Sequence, residues 1–184
     1  MTTTRSKDHI HVRPLRESEL DEADRILQLA FGTFNAALNP ESYLDDRNFV
    51  HNRWRADPKA AFAAEVGGRL VGSNFATRWG SFGFFGPLSI DPAFWDRGFA
   101  SYLIEPAIEL FDRWEVTLAG LFTFAHSIKH IGLYQKFGFR PRSLTRVLEK
   151  TIGSEVHKQL SWTPYSQLHK QQRRDALAAC CRLT

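Results

Sequence analysis

Two short stretches of the chain combine residue types that could do chemistry. In "FGPLSIDPAFWDRGFASYLI", Phe85 to Ile104, an apolar strand-like run reaches Pro92, and a Gly-x-Ala step at Gly98 and Ala100 leads into apolar residues at helical spacing. Small residues at a helix start let main-chain N–H groups come close to a phosphate. The free donors and the positive end of the helix dipole then stabilise the anion. A plain strand-to-helix turn containing a glycine would carry the same letters. In "SIKHIGLYQKFGF", Ser127 to Phe139, Tyr134 falls on a short helix after an apolar strand. Its phenol, with an ordinary pKa of about 10, is a poor acid in water but can supply a proton to a leaving thiolate. A half-buried tyrosine with a satisfied hydroxyl is the alternative.

The elements that must position these groups follow from hydrophobic spacing. "HIHVRPL" alternates at Ile10 and Val12 and predicts a first strand. Ser18 with Asp21 resembles a capping box, and Leu20, Ala23, Leu27, Ala30 and Phe34 predict a helix to about Phe34. A second helix is expected over Glu41 to Trp54, followed by two strands around Gly67-Gly68. "GFFGPLSIDP" reads as one further strand, and Ala100, Leu103, Ala107, Leu110 and Trp114 as a helix that Pro106 should kink. "LAGLFTFAHS" is expected to be a buried strand, "HIGLYQKF" a short helix capped by Gly138, and "FRPRSLTRVLEKT" a last strand. Beyond Gly153 the composition is polar up to a helix expected from Ser166 onward. The order predicts an α/β chain, a mixed, mostly antiparallel sheet with helices on both faces. It divides into a domain over 1–152 and a C-terminal extension over 153–184.

Composition narrows the class. The 184 residues, 43% hydrophobic and 24% charged, suit one ordinary globular domain. Aromatics at 13%, with fifteen Phe and five Trp, predict packing dominated by rings. The net charge is +4, from 24 basic and 20 acidic residues that are interspersed, so no basic face for nucleic acid is expected. Cys180 and Cys181 are adjacent, which excludes a disulfide framework and points to a reducing compartment. The polar N-terminus lacks the apolar core of a signal peptide, and no apolar run could span a bilayer. A cytoplasmic, metal-free protein is expected, with no membrane partner. Apolar spacing at Ala176, Leu177, Cys180 and Leu183 suits docking on its own domain and leaves a homodimer open.

Taken together, the two stretches make the segment from Ile10 to Phe139 resemble the GNAT superfamily of acyl-CoA-dependent N-acyltransferases. That family holds the CoA pyrophosphate with a strand followed by (Q/R)-x-x-G-x-(G/A). Here "WDRGFA" matches at Arg97, Gly98 and Ala100, with Trp95 in place of the polar first residue. Its later motif, Asn-x-x-Ala-x-x-x-Tyr-x-x-x-Gly-Phe, is matched at Tyr134, Gly138 and Phe139, with Ser127 in the Asn slot and His130 in the Ala slot. The resemblance implies a GNAT-like fold and acetyl-CoA as co-substrate. The diphosphate would be held by the backbone of Asp96, Arg97, Gly98, Phe99, Ala100 and Ser101. The pantetheine arm would lie along Leu88, Ser89 and Ile90, with a further contact at Ser127.

The chemistry so implied is direct attack of a neutral primary amine on the acetyl thioester. Tyr134 is the expected acid toward the thiolate, and a main-chain N–H near Leu88 to Ile90 the oxyanion donor. His126, at the end of a strand, has the intrinsic pKa of a base. Glu65, Asp91 and a water chain are alternatives. A small-molecule or peptide amine would be the acceptor, in a pocket walled by Tyr43, Trp54, Trp79 and Phe82 with Glu41, Asp45 and Asp46 attracting a cation. These residues could equally be packed aromatics and a solvated acidic turn. A non-catalytic acyl-CoA-binding or sensor module on the same fold is the competing reading.

Overall fold

The computed structural model describes residues 9–44, 47–142, 163 and 165–181. Residues up to 143 and those after it fall into two compact units, taken separately here. In the first unit the described strands are β1 (Ile10–Pro14), β2 (Ala61–Val66), β3 (Arg69–Trp79), β4 (Phe82–Phe85), β5 (Ser89–Ile90) and β6 (Leu118–Gly120). The described helices are α1 (Leu20–Phe34), α2 (Phe49–Ala56), α3 (Phe99–Arg113) and α4 (Ile128–Gln135). They build one mixed sheet in the order β1-β2-β3-β4-β6, with β5 also on β3. β1 to β4 are antiparallel neighbours, and β4 with β6 is the parallel pair.

The faces of the sheet follow the two-residue period of a strand. Ala61 and Ala63 on β2 join Leu70 and Phe75 of β3 in a core built with Leu20, Ala23, Ile26 and Leu27 of α1 and Val50 of α2. Phe62 and Ala64 point the other way, into a core with Val71, Phe85 and the α3 residues Leu103, Ile104, Ala107 and Phe111. Small residues on β2 let helices approach both faces closely. Asn74, fully buried on β3, ties sheet to helix: its Nδ2 donates to the Leu103 carbonyl at 2.8 Å and its Oδ1 accepts from the Phe75 N–H at 2.9 Å. Pro106 lies inside α3, which nevertheless runs unbroken to Arg113. It has no N–H for the carbonyl one turn earlier, next to the one Asn74 reaches.

Several expectations change. "GFFGPLSIDP" is not one regular strand. β4 and β5 both pair with β3, but three residues, Gly86 to Leu88, face only Asn74 and Phe75 between Ala76↔Phe85 and Ser73↔Ser89. The extra residue is a bulge, and the Gly86–Pro87 peptide within it is cis. α2 starts at Phe49 and not at Glu41, because Pro40 to Ser42 form a separate 3-10 turn. α1 begins at Leu20 without a Ser18 cap. Glu19 holds its entry by accepting the Arg16 N–H at 3.1 Å, while Arg13 reaches both Glu19 and Glu65 at 2.6 Å. The "LAGLFTFAHS" strand shrinks to β6, whose Leu118 is 63% exposed. Its remainder is irregular because pairing with β4 stops at Phe84↔Gly120. The Gly67-Gly68 hairpin is as expected, a two-residue loop closing Val66↔Arg69.

Phe139 to Arg142 of the expected last strand are irregular, and its remainder and the 152/153 boundary lie outside the described residues. In the second unit the terminal helix, α5, spans Lys170–Cys181, starting after a 3-10 turn at Tyr165–Gln167. Arg173 of α5 donates to the Leu168 and Ser166 carbonyls. Among the described residues no helix is long and apolar enough to cross a membrane.

Gly72 sets how closely β5 can approach β3. A Cβ there would sit 2.5 Å from the Ser89 carbonyl oxygen, a backbone atom that cannot rotate away. Gly72→Ala is therefore expected to destabilise the fold by roughly 1–3 kcal/mol, read as a lower urea midpoint at unchanged slope.

Candidate active site

The sheet opens where β4 and β6 stop pairing. Beyond Phe84↔Gly120 one strand continues along β3 through the bulge to Ser89–Ile90, while the other leads to Phe124 and α4. Asp91 N–H donates to the Val71 carbonyl at 2.8 Å. The alternation of an antiparallel ladder then directs the Ile90 N–H away from β3 and into the opening. A cleft of about 510 Å³ occupies this gap. Leu88, Ser89 and Ile90 form one wall, Asp96, Gly98, Phe99, Ala100 and Ser101 one end, and Tyr134 with His130 and Lys129 the facing helix.

The end wall is the start of α3. Gly98 is its N-cap, with φ +80°, a left-handed conformation that favours glycine, and it has no side chain to cap the helix. Ser101 N–H turns back to the Gly98 carbonyl at 3.1 Å. The first amides of the helix have no partner inside it. A Cβ at Gly98 would meet nothing within 4 Å, so the space before these donors is open. Trp95, which replaces the polar residue of the motif, is a strut: its Nε1 donates to the Ile90 carbonyl at 2.7 Å, joining β5 to the turn. Asp91, offered as a base, is 4% exposed; it accepts from Ala93 N–H at 2.9 Å and pairs with Arg69 at 2.8 Å. It holds the turn and is not on the cleft wall. Asp96 pairs with Lys129 of α4 across the cleft mouth. Arg97 is not on the cleft lining; its guanidinium lies 5.0 Å from the Phe94 ring centre.

The Tyr-x-x-x-Gly-Phe spacing has a physical basis in α4. Phe139 N–H donates to the Tyr134 carbonyl at 3.2 Å and Gly138 N–H to the Gln135 carbonyl at 3.0 Å, the two bonds of a Schellman cap. The Tyr134 and Phe139 rings both lie on Phe85, with centres 5.9 and 5.6 Å from it. The tyrosine is thus pinned at its backbone and its ring. Burial pushes its phenol up to about 12, with the Thr123 side chain pulling the other way.

Ser127 occupies a different place from the one the motif implies. It is buried, absent from the cleft lining, and caps α4 by accepting the His130 N–H at 3.4 Å. Its Oγ is also hydrogen-bonded to His130 Nδ1 at 2.6 Å. His126 is exposed and stacks on Phe34, ring centres 5.7 Å apart, off the lining. His130, one turn before Tyr134, does line the cleft. Burial first, then the charges of Lys129 and His126, lower its pKa. The signal for this residue in the sequence is the pattern Ser127-x-x-His130, in which His130 departs from the alanine of the motif.

The acceptor-side expectations scatter. Glu65 is engaged by Arg13, Trp54 donates its indole N–H to the Leu15 carbonyl at 3.2 Å, and Asp45 and Asp46 lie outside the described residues. Glu41 lines a separate depression with Asp21, Asp24 and His51, sharing no residue with the cleft. Tyr43 is 39% exposed and not on the cleft wall. Trp79 and Phe82 stack at 6.0 Å at the turn end of the β3–β4 hairpin and are not on the cleft lining. Among the described residues no group of His, Cys, Asp and Glu could hold a metal ion.

Comparison with known proteins finds the same fold in solved structures. A PaiA N-acetyltransferase from Thermoplasma acidophilum, solved with coenzyme A, is 14% identical with a TM-score of 0.66, over 74% of this chain and 93% of that one. A GNAT-family acetyltransferase from Brucella melitensis, solved with acetyl-CoA, is 20% identical with a TM-score of 0.53, over 73% and 84%. An acetyltransferase from Trypanosoma brucei is 22% identical with a TM-score of 0.54, over 77% and 100%. No protein of curated function matches the chain in sequence. The sequence pattern of the acetyltransferase (GNAT) family matches residues 23–139, and the chain belongs to that family.

Proposed function

We propose that the protein transfers an acetyl group from acetyl-CoA to a primary amine by direct attack. The carrying observation is one cleft that holds both an uncapped, open helix start at Gly98 and the pinned hydroxyl-bearing ring of Tyr134. The diphosphate rests on the first amides of α3, and the pantetheine amides pair with the backbone of β5 that faces away from β3. The amine nitrogen attacks the thioester carbon, and the new oxyanion is met by a main-chain N–H of Leu88 to Ile90. His130 takes the proton lost by the nitrogen. As the C–S bond breaks, Tyr134 gives its proton to the thiolate. That solved relatives of this fold were crystallised with CoA or acetyl-CoA supports the reading.

The other reading, an acyl-CoA-binding module without chemistry, draws on the Trp95 and Ser127 side chains, both spent on internal struts. Turnover separates the two.

Gly98→Val places a branched side chain in the open space before the helix amides and in a backbone region that penalises it by roughly 1–2 kcal/mol. It is expected to remain folded and to lose CoA affinity at least tenfold by calorimetry; unchanged affinity removes the cradle. Tyr134→Phe is expected to lower turnover about 100-fold, with acetyl-CoA binding little altered; equal turnover in a thiol-release assay removes the acid. The pH profile has a definite sign. Tyr134, pushed up to about 12, stays protonated and adds no falling limb in the neutral and mildly alkaline range. His130, lowered from 6.5, is active when neutral, so kcat/KM for the free amine should fall only as pH drops through that lowered value. His130→Ala should erase this acid limb along with most of the rate.

A further inference from the structure

Arg53 of α2 is a half-buried cation, and no described carboxylate pairs with it. Its Nη1 donates to Thr77 Oγ1 at 3.0 Å, and its guanidinium carbon lies 5.6 Å from the Phe84 ring centre and 6.0 Å from that of Trp79. Burial alone lowers its pKa. The other arginines with strong partners in this unit, Arg13, Arg25 and Arg69, face Glu19, Glu22 and Asp91. A desolvated cation without a counter-charge costs free energy, which is recovered when an anion arrives. The Thr77 bond uses one corner of the fork. The Nε–Nη2 edge is left to match a carboxylate with two parallel bonds.

The surroundings give the rest of the ligand. Trp79 stacks on Phe84 at 5.4 Å, and Phe84 meets Phe122 at 5.7 Å; Trp79 and Phe122 are 53% and 72% exposed. None of these residues is on the cleft lining, but Phe122 stands two residues before Phe124, which lines the cleft with Phe34. The row ends where the sheet opens beyond Phe84↔Gly120. Phe84 and Phe85 project to opposite faces of β4, and Phe85 carries Tyr134. A group entering over Phe84 therefore approaches the opening from the face opposite α3.

We propose that Arg53, with Thr77, Trp79 and Phe84, is the anion-binding part of the acceptor site, and that the acceptor is a primary amine with an apolar or aromatic body and a carboxylate. This rests on the acetyl-transfer reading, but its test does not. Calorimetry on the full-length protein compares 3-phenylpropionate with 3-phenylpropan-1-ol, which differ in the anionic group. The acid is expected to bind at least tenfold more tightly, Arg53→Gln to abolish the difference, and Arg53→Lys, which keeps the charge but loses the fork, to retain part of it. A purely packing role for Arg53 would lower thermal stability in Arg53→Gln and leave the acid without advantage. Equal binding of acid and alcohol, or an advantage that survives Arg53→Gln, overturns the proposal whether or not any amine is acetylated. If acids bind but neither phenylalanine nor phenethylamine is acetylated, the anion subsite stands and its assignment to the acceptor falls. If both are acetylated, phenylalanine should be favoured at least tenfold in kcat/KM, and that preference should vanish in Arg53→Gln.

Discussion

The site depends on a place where backbone hydrogen bonding stops. β4 and β6 are parallel partners for three residue pairs and then separate. The separation is enforced from one side, because β5 stays on β3 through Ser73↔Ser89 and Gly72↔Ile90, and Asp91 continues the ladder to Val71. A buried strand edge with unpaired N–H and C=O groups is costly unless something else pairs with it. Trp95 satisfies the Ile90 carbonyl from within the chain. In the proposed reading the opposing N–H pairs with the amides of a pantetheine arm. The bulge at Gly86 to Leu88, the glycine at 72 and the turn after Pro92 all maintain this gap.

Much of this is legible in the sequence. The helices α1, α3 and α4 are written in apolar spacing, and the Gly67-Gly68 loop in its own residues. Gly98 and Tyr134 could be assigned to one site only through the resemblance of both stretches to the GNAT motifs. What was hidden depends on contacts remote in sequence. The break in "GFFGPLSIDP" arises from how β3 presents itself, and alternation within the segment does not encode it. The irregular stretch after Gly120 is as apolar as a strand but has lost its partner. Glu65 and Asp91 looked like candidate bases because nothing local reveals that Arg13 and Arg69 reach them from elsewhere. His130 stood one turn from Tyr134, yet motif matching treats such a position as a mismatch.

Two of the three departures from the family pattern, Trp95 and Ser127, have become supports. Trp95 lines the cleft while its indole N–H braces the turn. Ser127 braces α4, and the ring it touches, His130, is on the cleft wall.

The Schellman cap on α4 has a bearing on biosynthesis. Tyr134 is anchored only once Phe139 has supplied its N–H and its ring, and Phe34 from the first helix needs Phe124 to pack against. A chain still emerging from the ribosome can assemble β1 to β3 around α1 while its cleft remains unformed. Ligand capture thus belongs to the closing stage of synthesis, and a product stopped short of Phe139 would carry an intact hairpin and no usable pocket.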